Sequence, residues 1–142
     1  MRKVISLFVL VLVGIFFIGI GSALPMNVVE TPNADGSYNV TDCTVLNESG
    51  VYVLNQSVTT TGTCFNITAD NVTLDGNGNT IGGVGYYAIG NGIHVVGRDN
   101  ITIKNFTSIM KFGGSGCVSD CFYAGILFEN TNNSKIQNVN IS

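Results

Sequence analysis

From Cys64 to Ser142 the apolar residues alternate instead of recurring every third or fourth position. Phe65 and Ile67, Ile93 and Val95, and Ile126 and Phe128 are pairs at i and i+2, separated by Asn66, His94 and Leu127. A second pair follows each of them: Val72 and Leu74, Ile101 and Ile103, Ser134 and Ile136. A period of two sends alternate side chains to opposite faces of a strand, so each pair predicts one short strand. Gly, Asn and Asp lie between the strands, where they tolerate the left-handed backbone of tight corners.

The pairs belong to three imperfect copies of one unit, at 64–81, 92–109 and 125–142. The second and third superpose without a gap, Gly92 on Gly125, Val95 on Phe128, Ile103 on Ile136 and Asn105 on Asn138; the first needs one small gap. A repeat of this length signals a solenoid. One coil cannot bury its apolar face alone, so stacked coils supply the core. The expected core is Phe65, Ile67, Val72, Leu74, Ile93, Val95, Ile101, Ile103, Ile126, Phe128 and Ile136. The third copy ends inside a strand without a capping unit, which reads as the leading part of a longer solenoid.

The wording DNVTLDGNGNTIGG from Asp70 to Gly83, together with GIHVVGRDNITIKNFT from Gly92 to Thr107, resembles the right-handed parallel β-helix repeat family. That family is pectate-lyase-like in fold and includes carbohydrate-binding and sugar-hydrolysis modules. The segment from Cys43 to Cys64, with Gly50-Val51-Tyr52-Val53-Leu54 inside it, is similar to the opening rung of secreted, often archaeal, members. The resemblance covers 42–142. It implies an all-β, right-handed single-stranded parallel β-helix of about three coils plus an opening strand. It implies little about activity, because one fold hosts many functions.

Upstream of the repeats, 1–23 reads as a targeting segment: Arg2 and Lys3, an uncharged run from Val4 to Ile20, then Gly21-Ser22-Ala23. The run is long for a signal peptide and at the short limit for a membrane span, so an uncleaved N-terminal anchor is the competing reading. Either way the remainder is expected to be secreted or at the cell surface, with membrane contact only through 1–23. The stretch 24–41, with Pro25, Pro32 and Asn33-Ala34-Asp35-Gly36, reads as a linker to a domain at 42–142. Six Lys and Arg face nine Asp and Glu, and removing Arg2 and Lys3 makes the rest more acidic still. With no basic cluster, nucleic acid is excluded as a partner.

Four cysteines in an exported chain suggest two disulfides with three possible pairings. Cys43–Cys64 is favoured because it ties the opening strand to the first copy, leaving Cys117–Cys121 to close a loop. These spacings do not fit a zinc knuckle, and no metal or other cofactor is expected. Asn71, Asn100 and Asn133 share one corner position and Asn105 and Asn138 another, so stacking would align them as amide ladders, with Asn71 and Asn100 turned inward. Asn-x-Ser/Thr begins at Asn39, Asn47, Asn55, Asn66, Asn71, Asn100, Asn105, Asn132 and Asn140. Of these, Asn39, Asn47 and Asn55 lie outside the repeat and are the favoured glycan acceptors.

Candidate chemistry is sparse. Asp70 and Asp99 align in adjacent copies, which would bring two carboxylates to about the 5 Å separation of retaining glycosidases. The plainer reading is Asp-Asn corner chemistry, since the third copy has Asn132 there. Asp75-Gly-Asn-Gly-Asn opens like a calcium loop, but Thr80 and Tyr86 stand where Gly and Glu are required. It therefore reads as a turn with Gly76 and Gly78 at positive φ. His94 should point outward without an obvious partner, and Arg98 is a candidate for a sugar carboxylate. Tyr86, Tyr87, Phe122 and Tyr123 end two inserted loops and would either stack on sugars or pack against the flank. The functional expectation is a non-catalytic exported module binding polysaccharide or other cell-envelope components. The alternatives are a polysaccharide lyase or glycoside hydrolase with its catalytic coils further along, and an adhesin-like spacer.

Overall fold

The structure is a computed structural model that describes residues 32–84, 90–110, 112 and 124–142. The alternating pattern forms short strands: β1 (Tyr38–Val40), β2 (Thr44–Leu46), β3 (Gly50–Leu54), β4 (Val58–Thr60), β5 (Phe65–Ile67), β6 (Val72–Asp75), β7 (Thr80–Gly83), β8 (Ile93–Val96), β9 (Thr102–Met110), β10 (Ile126–Glu129) and β11 (Lys135–Ile141). All pairings among them are parallel, in two sheets. No strand pairs with its neighbour in sequence, so each pairing joins one coil to the next. The protein is a parallel β-helix.

The strands stack in three columns. β2, β5, β8 and β10 form the first. β1, β3, β6 and the leading half of β9 form the second, which β11 continues. β4, β7 and the trailing half of β9 form the third, so β9 turns the corner that other coils make with separate strands. Ile93 lies between Phe65 and Ile126, and Ile103 between Leu74 and Ile136, as the repeat predicts. The small gap falls at one place: Asp75 pairs with Lys104 but Thr80 with Ser108, so 76–79 oppose one residue fewer. The second and third copies also slip, between Val139 and Ile141, where Ile141 pairs with Ile109. The expected gapless superposition does not reach the end of the third copy.

The core follows the predicted columns. Phe65, Ile67, Val72, Leu74, Ile93, Val95, Ile101 and Ile103 are buried, and each contributes about 1.5–3 kcal/mol by leaving water. Three expectations are corrected at the last coil. Ile126 and Phe128 are only partly buried, and Ile136 is 44% exposed, because this coil has a described neighbour on one side alone. The core also contains Val40, Leu46, Leu54, Val58, Ile81, Phe106 and Ile109. Val58, Ile81 and Ile109 fill the third column, and Leu46, Leu54 and Val58 make 44–60 a full coil instead of a single opening strand. β1 falls within the stretch that reads as linker. Its Val40 is fully buried, and a polar turn precedes it, with Asp35 Oδ1 accepting from the Ser37 hydroxyl at 2.7 Å.

Growth of the repeat occurs at one corner. The third column connects to the first through 61–64, then 84–92, then 111–125, whereas the other corners stay short. Cys43, Cys64, Gly92 and Gly125 occupy one register position just before the first column. A disulfide joins Cys43 to Cys64 across a Cα separation of 4.4 Å. In the later coils glycine is needed at this position, because a Cβ on Gly92 would lie 2.4 Å from the Gly125 carbonyl oxygen.

Candidate functional site

The corners carry most of the polar chemistry. Asn71, Asn100 and Asn133 take positive φ of 57°, 58° and 50°, and Asn105 and Asn138 take 57° and 52°. Asn tolerates this region better than other residues with a Cβ. The amide ladders exist: Asn100 donates to Asn71 Oδ1 at 3.0 Å and Asn138 to Asn105 Oδ1 at 3.3 Å. However, Asn71 and Asn100 are exposed, not turned inward. The left-handed backbone itself turns the corner, leaving their side chains on its outer side. Asn100→Ala is expected to cost about 1 kcal/mol more in urea unfolding than Asn100→Gly, because both lose the ladder bond but only alanine strains the backbone.

Asp70 and Asp99 are brought together in one exposed column, as the spacing predicts. Asp70 Oδ1 accepts the Asp99 amide at 3.0 Å, and Asp99 Oδ1 accepts the Asn132 amide at 3.2 Å and its side-chain Nδ2 at 3.0 Å. Each carboxylate thus satisfies a corner N–H of the next coil. Asn132 can replace aspartate at the end of this series because it acts there as a donor.

A second cluster, not singled out as a site in the sequence, lies outside the second column. Asp75 faces Lys104, whose Nζ is 3.1 Å away, and accepts from the Asn105 amide at 3.1 Å. Its own turn contributes the Asn77 N–H at 2.9 Å. That turn has Asn77 and Gly78 at positive φ, 49° and 78°, as Asn-Gly favours. Gly76, expected to share that conformation, does not: its Cα lies under the Phe106 ring, and a Cβ would come within 2.5 Å of it. Desolvation pushes the Asp75 carboxyl upward, but the bonds from Asn77, Asn105 and Lys104 together hold it below its ordinary value of 3.8. The stability carried by ionised Asp75 is complete above that ordinary value and is lost as pH falls through the lowered one. Asp75→Asn is therefore expected to destabilise the fold at neutral pH, with the two melting curves converging in acid.

His94 is half-buried on the outer side of β8. It has a neighbour after all, since its Nε2 is 3.9 Å from a Glu129 oxygen on the next coil. Glu129 stands opposite Val96, not His94, so the sequence shows the pair only once register is known. Arg98 is half-buried at the following corner, and its Nε is buried without a hydrogen-bond partner among the described residues. Asn91, which sequence reasoning passed over, is buried and links three coils: its N–H donates to Thr63 Oγ1 and its Oδ1 accepts from Ala124. Asn39 is half-buried and exchanges two side-chain bonds with Asn33, whereas Asn47 and Asn55 are exposed. Tyr86, Tyr87, Phe122, Tyr123, Cys117 and Cys121 lie outside the described residues, as does 1–23. No group of three His, Cys, Asp or Glu side chains is placed to hold a metal among the described residues.

No protein-family model, curated protein or solved structure matches this chain. Outside the second column, side chains repeat in two files along the axis: Val51, Thr73, Thr102 and Lys135, and beside it Asn39, Val53, Asp75, Lys104 and Gln137. Parallel pairing sets successive members about 4.8 Å apart.

Proposed function

We propose that the chain is an exported β-helix module, secreted or displayed at the cell surface, that binds polysaccharide or builds an envelope layer and is not itself catalytic. The observation carrying this reading is the pair of outward files on the second column. Thr73, Thr102, Asp75 and Lys104 present hydroxyl, carboxylate and ammonium groups at a regular spacing on rigid strands. A polysaccharide offers hydroxyls at a comparably regular spacing, and groups fixed before binding lose little entropy when it docks. The Cys43–Cys64 disulfide supports export, since such bonds persist in oxidising compartments. The wording of the repeat, which resembles pectate-lyase-like β-helices, supports a sugar polymer as the ligand.

A glycan array and pull-down on insoluble polysaccharides test the reading. Binding is expected, weakened by Thr102→Val with Lys104→Ala, and no release of reducing or unsaturated ends is expected from bound polymer. Absence of binding to every polysaccharide contradicts the carbohydrate reading, and cleavage of any contradicts the non-catalytic one.

A further inference from the structure

Seven of the nine Asn-x-Ser/Thr sites fall into two physical groups once hydrogen bonds are known. In the first, the amide nitrogen is already committed. Asn39 Nδ2 donates to Asn33, Asn100 to Asn71, Asn105 to Asp75 and Asn132 to Asp99. In the second, Asn47, Asn55 and Asn140 are exposed and make no side-chain hydrogen bond among the described residues. Between these extremes, Asn66 is half-buried in β5, and Asn71 has its Oδ1 taken by Asn100.

We infer that the exported chain is N-glycosylated at Asn47, Asn55 and Asn140 and unmodified at the four committed asparagines. The inference rests on the export half of the proposed function. Transfer forms a bond from Nδ2 to the anomeric carbon of a saccharide and breaks that carbon's bond to a polyprenyl phosphate or diphosphate carrier. The carrier leaves as the phosphate anion, and one amide proton is lost to a base of the transferase. At Asn100 or Asn132 the attached sugar would occupy the direction in which Nδ2 reaches its acceptor on the preceding coil. A chain modified there before folding carries a bulky substituent and one Nδ2 hydrogen fewer at the bond between coils. At Asn47 and Asn55 the glycan projects from corners of the first full coil, and at Asn140 from the outer side of β11, with no bond broken.

The test is site-resolved mass spectrometry of the full chain, recovered from the medium and membrane fractions of a host that modifies such sites in exported proteins. Glycopeptides are expected at Asn47, Asn55 and Asn140. The variants N47Q, N55Q and N140Q should each remove one glycan and leave the melting temperature unchanged, whereas N100Q should lower it and leave the glycan count unchanged. A chain found only inside the cell overturns the export reading and this inference with it. An exported chain bare at Asn47 and Asn55, or one occupied at Asn39, Asn100, Asn105 or Asn132, overturns this inference alone.

Discussion

Ile103→Asp is expected to leave the chain unfolded, with the β-type circular dichroism signal lost at every temperature. Ile103 has no exposed surface and lies in register between Leu74 and Ile136. The substitution forfeits the apolar burial and places a carboxylate among buried apolar side chains. A buried unpaired charge costs several kcal/mol, and an ordinary domain is stable by only about 5–15 kcal/mol. Ile136→Asp is the control, because that side chain is 44% exposed and its carboxylate keeps access to water. It should cost roughly 1–2 kcal/mol and preserve the signal. Equal effects at the two positions would count against stacked coils.

Breaking the Cys43–Cys64 bond has the second largest expected effect. The bond closes a loop with a sequence separation of 21 residues and joins the first two full coils at one register position. Loop-closure entropy of that size amounts to about 3 kcal/mol in the unfolded chain. Cys43→Ser with Cys64→Ser should therefore lower Tm by something on the order of 10–20 °C. Added reductant should lower the Tm of the parent protein by at least as much, and by more than it lowers that of the variant. A parent Tm unchanged by reductant would mean that the bond adds nothing to the fold.

Two of the three columns were legible in the sequence because strands within them, such as β5, β6 and β8, bury residues at i and i+2, as in Phe65 and Ile67 or Val72 and Leu74. The third column was hidden. β4 and β7 each bury one large apolar side chain, Val58 and Ile81, flanked by Thr or Gly, and a single apolar residue carries no period. β1 was obscured by the prolines and turn residues before it, although Val40 is as buried as any residue in the core. The surface chemistry was legible only where it follows the repeat. Asp70, Asp99 and Asn132 share one position and were found together. His94 with Glu129 is a diagonal contact, and Asp75 with Lys104 lies just before the one-residue gap, so neither aligns as a like-for-like column. Position in the repeat favours Asn39, Asn47 and Asn55 as glycan acceptors, but it cannot register that Asn39 is tied to Asn33 while Asn140 makes no side-chain bond among the described residues.

Proton–proton contacts between coils, measured by NMR on the isotope-labelled protein, test the stacking most directly. A parallel solenoid gives contacts that advance in the same direction on both strands: Thr102 to Lys135, Ile103 to Ile136 and Lys104 to Gln137, with Leu74 on the other side of Ile103. Contacts that advance in opposite directions along 102–104 and 135–137, the signature of a hairpin, or none between Ile103 and Ile136, would contradict it.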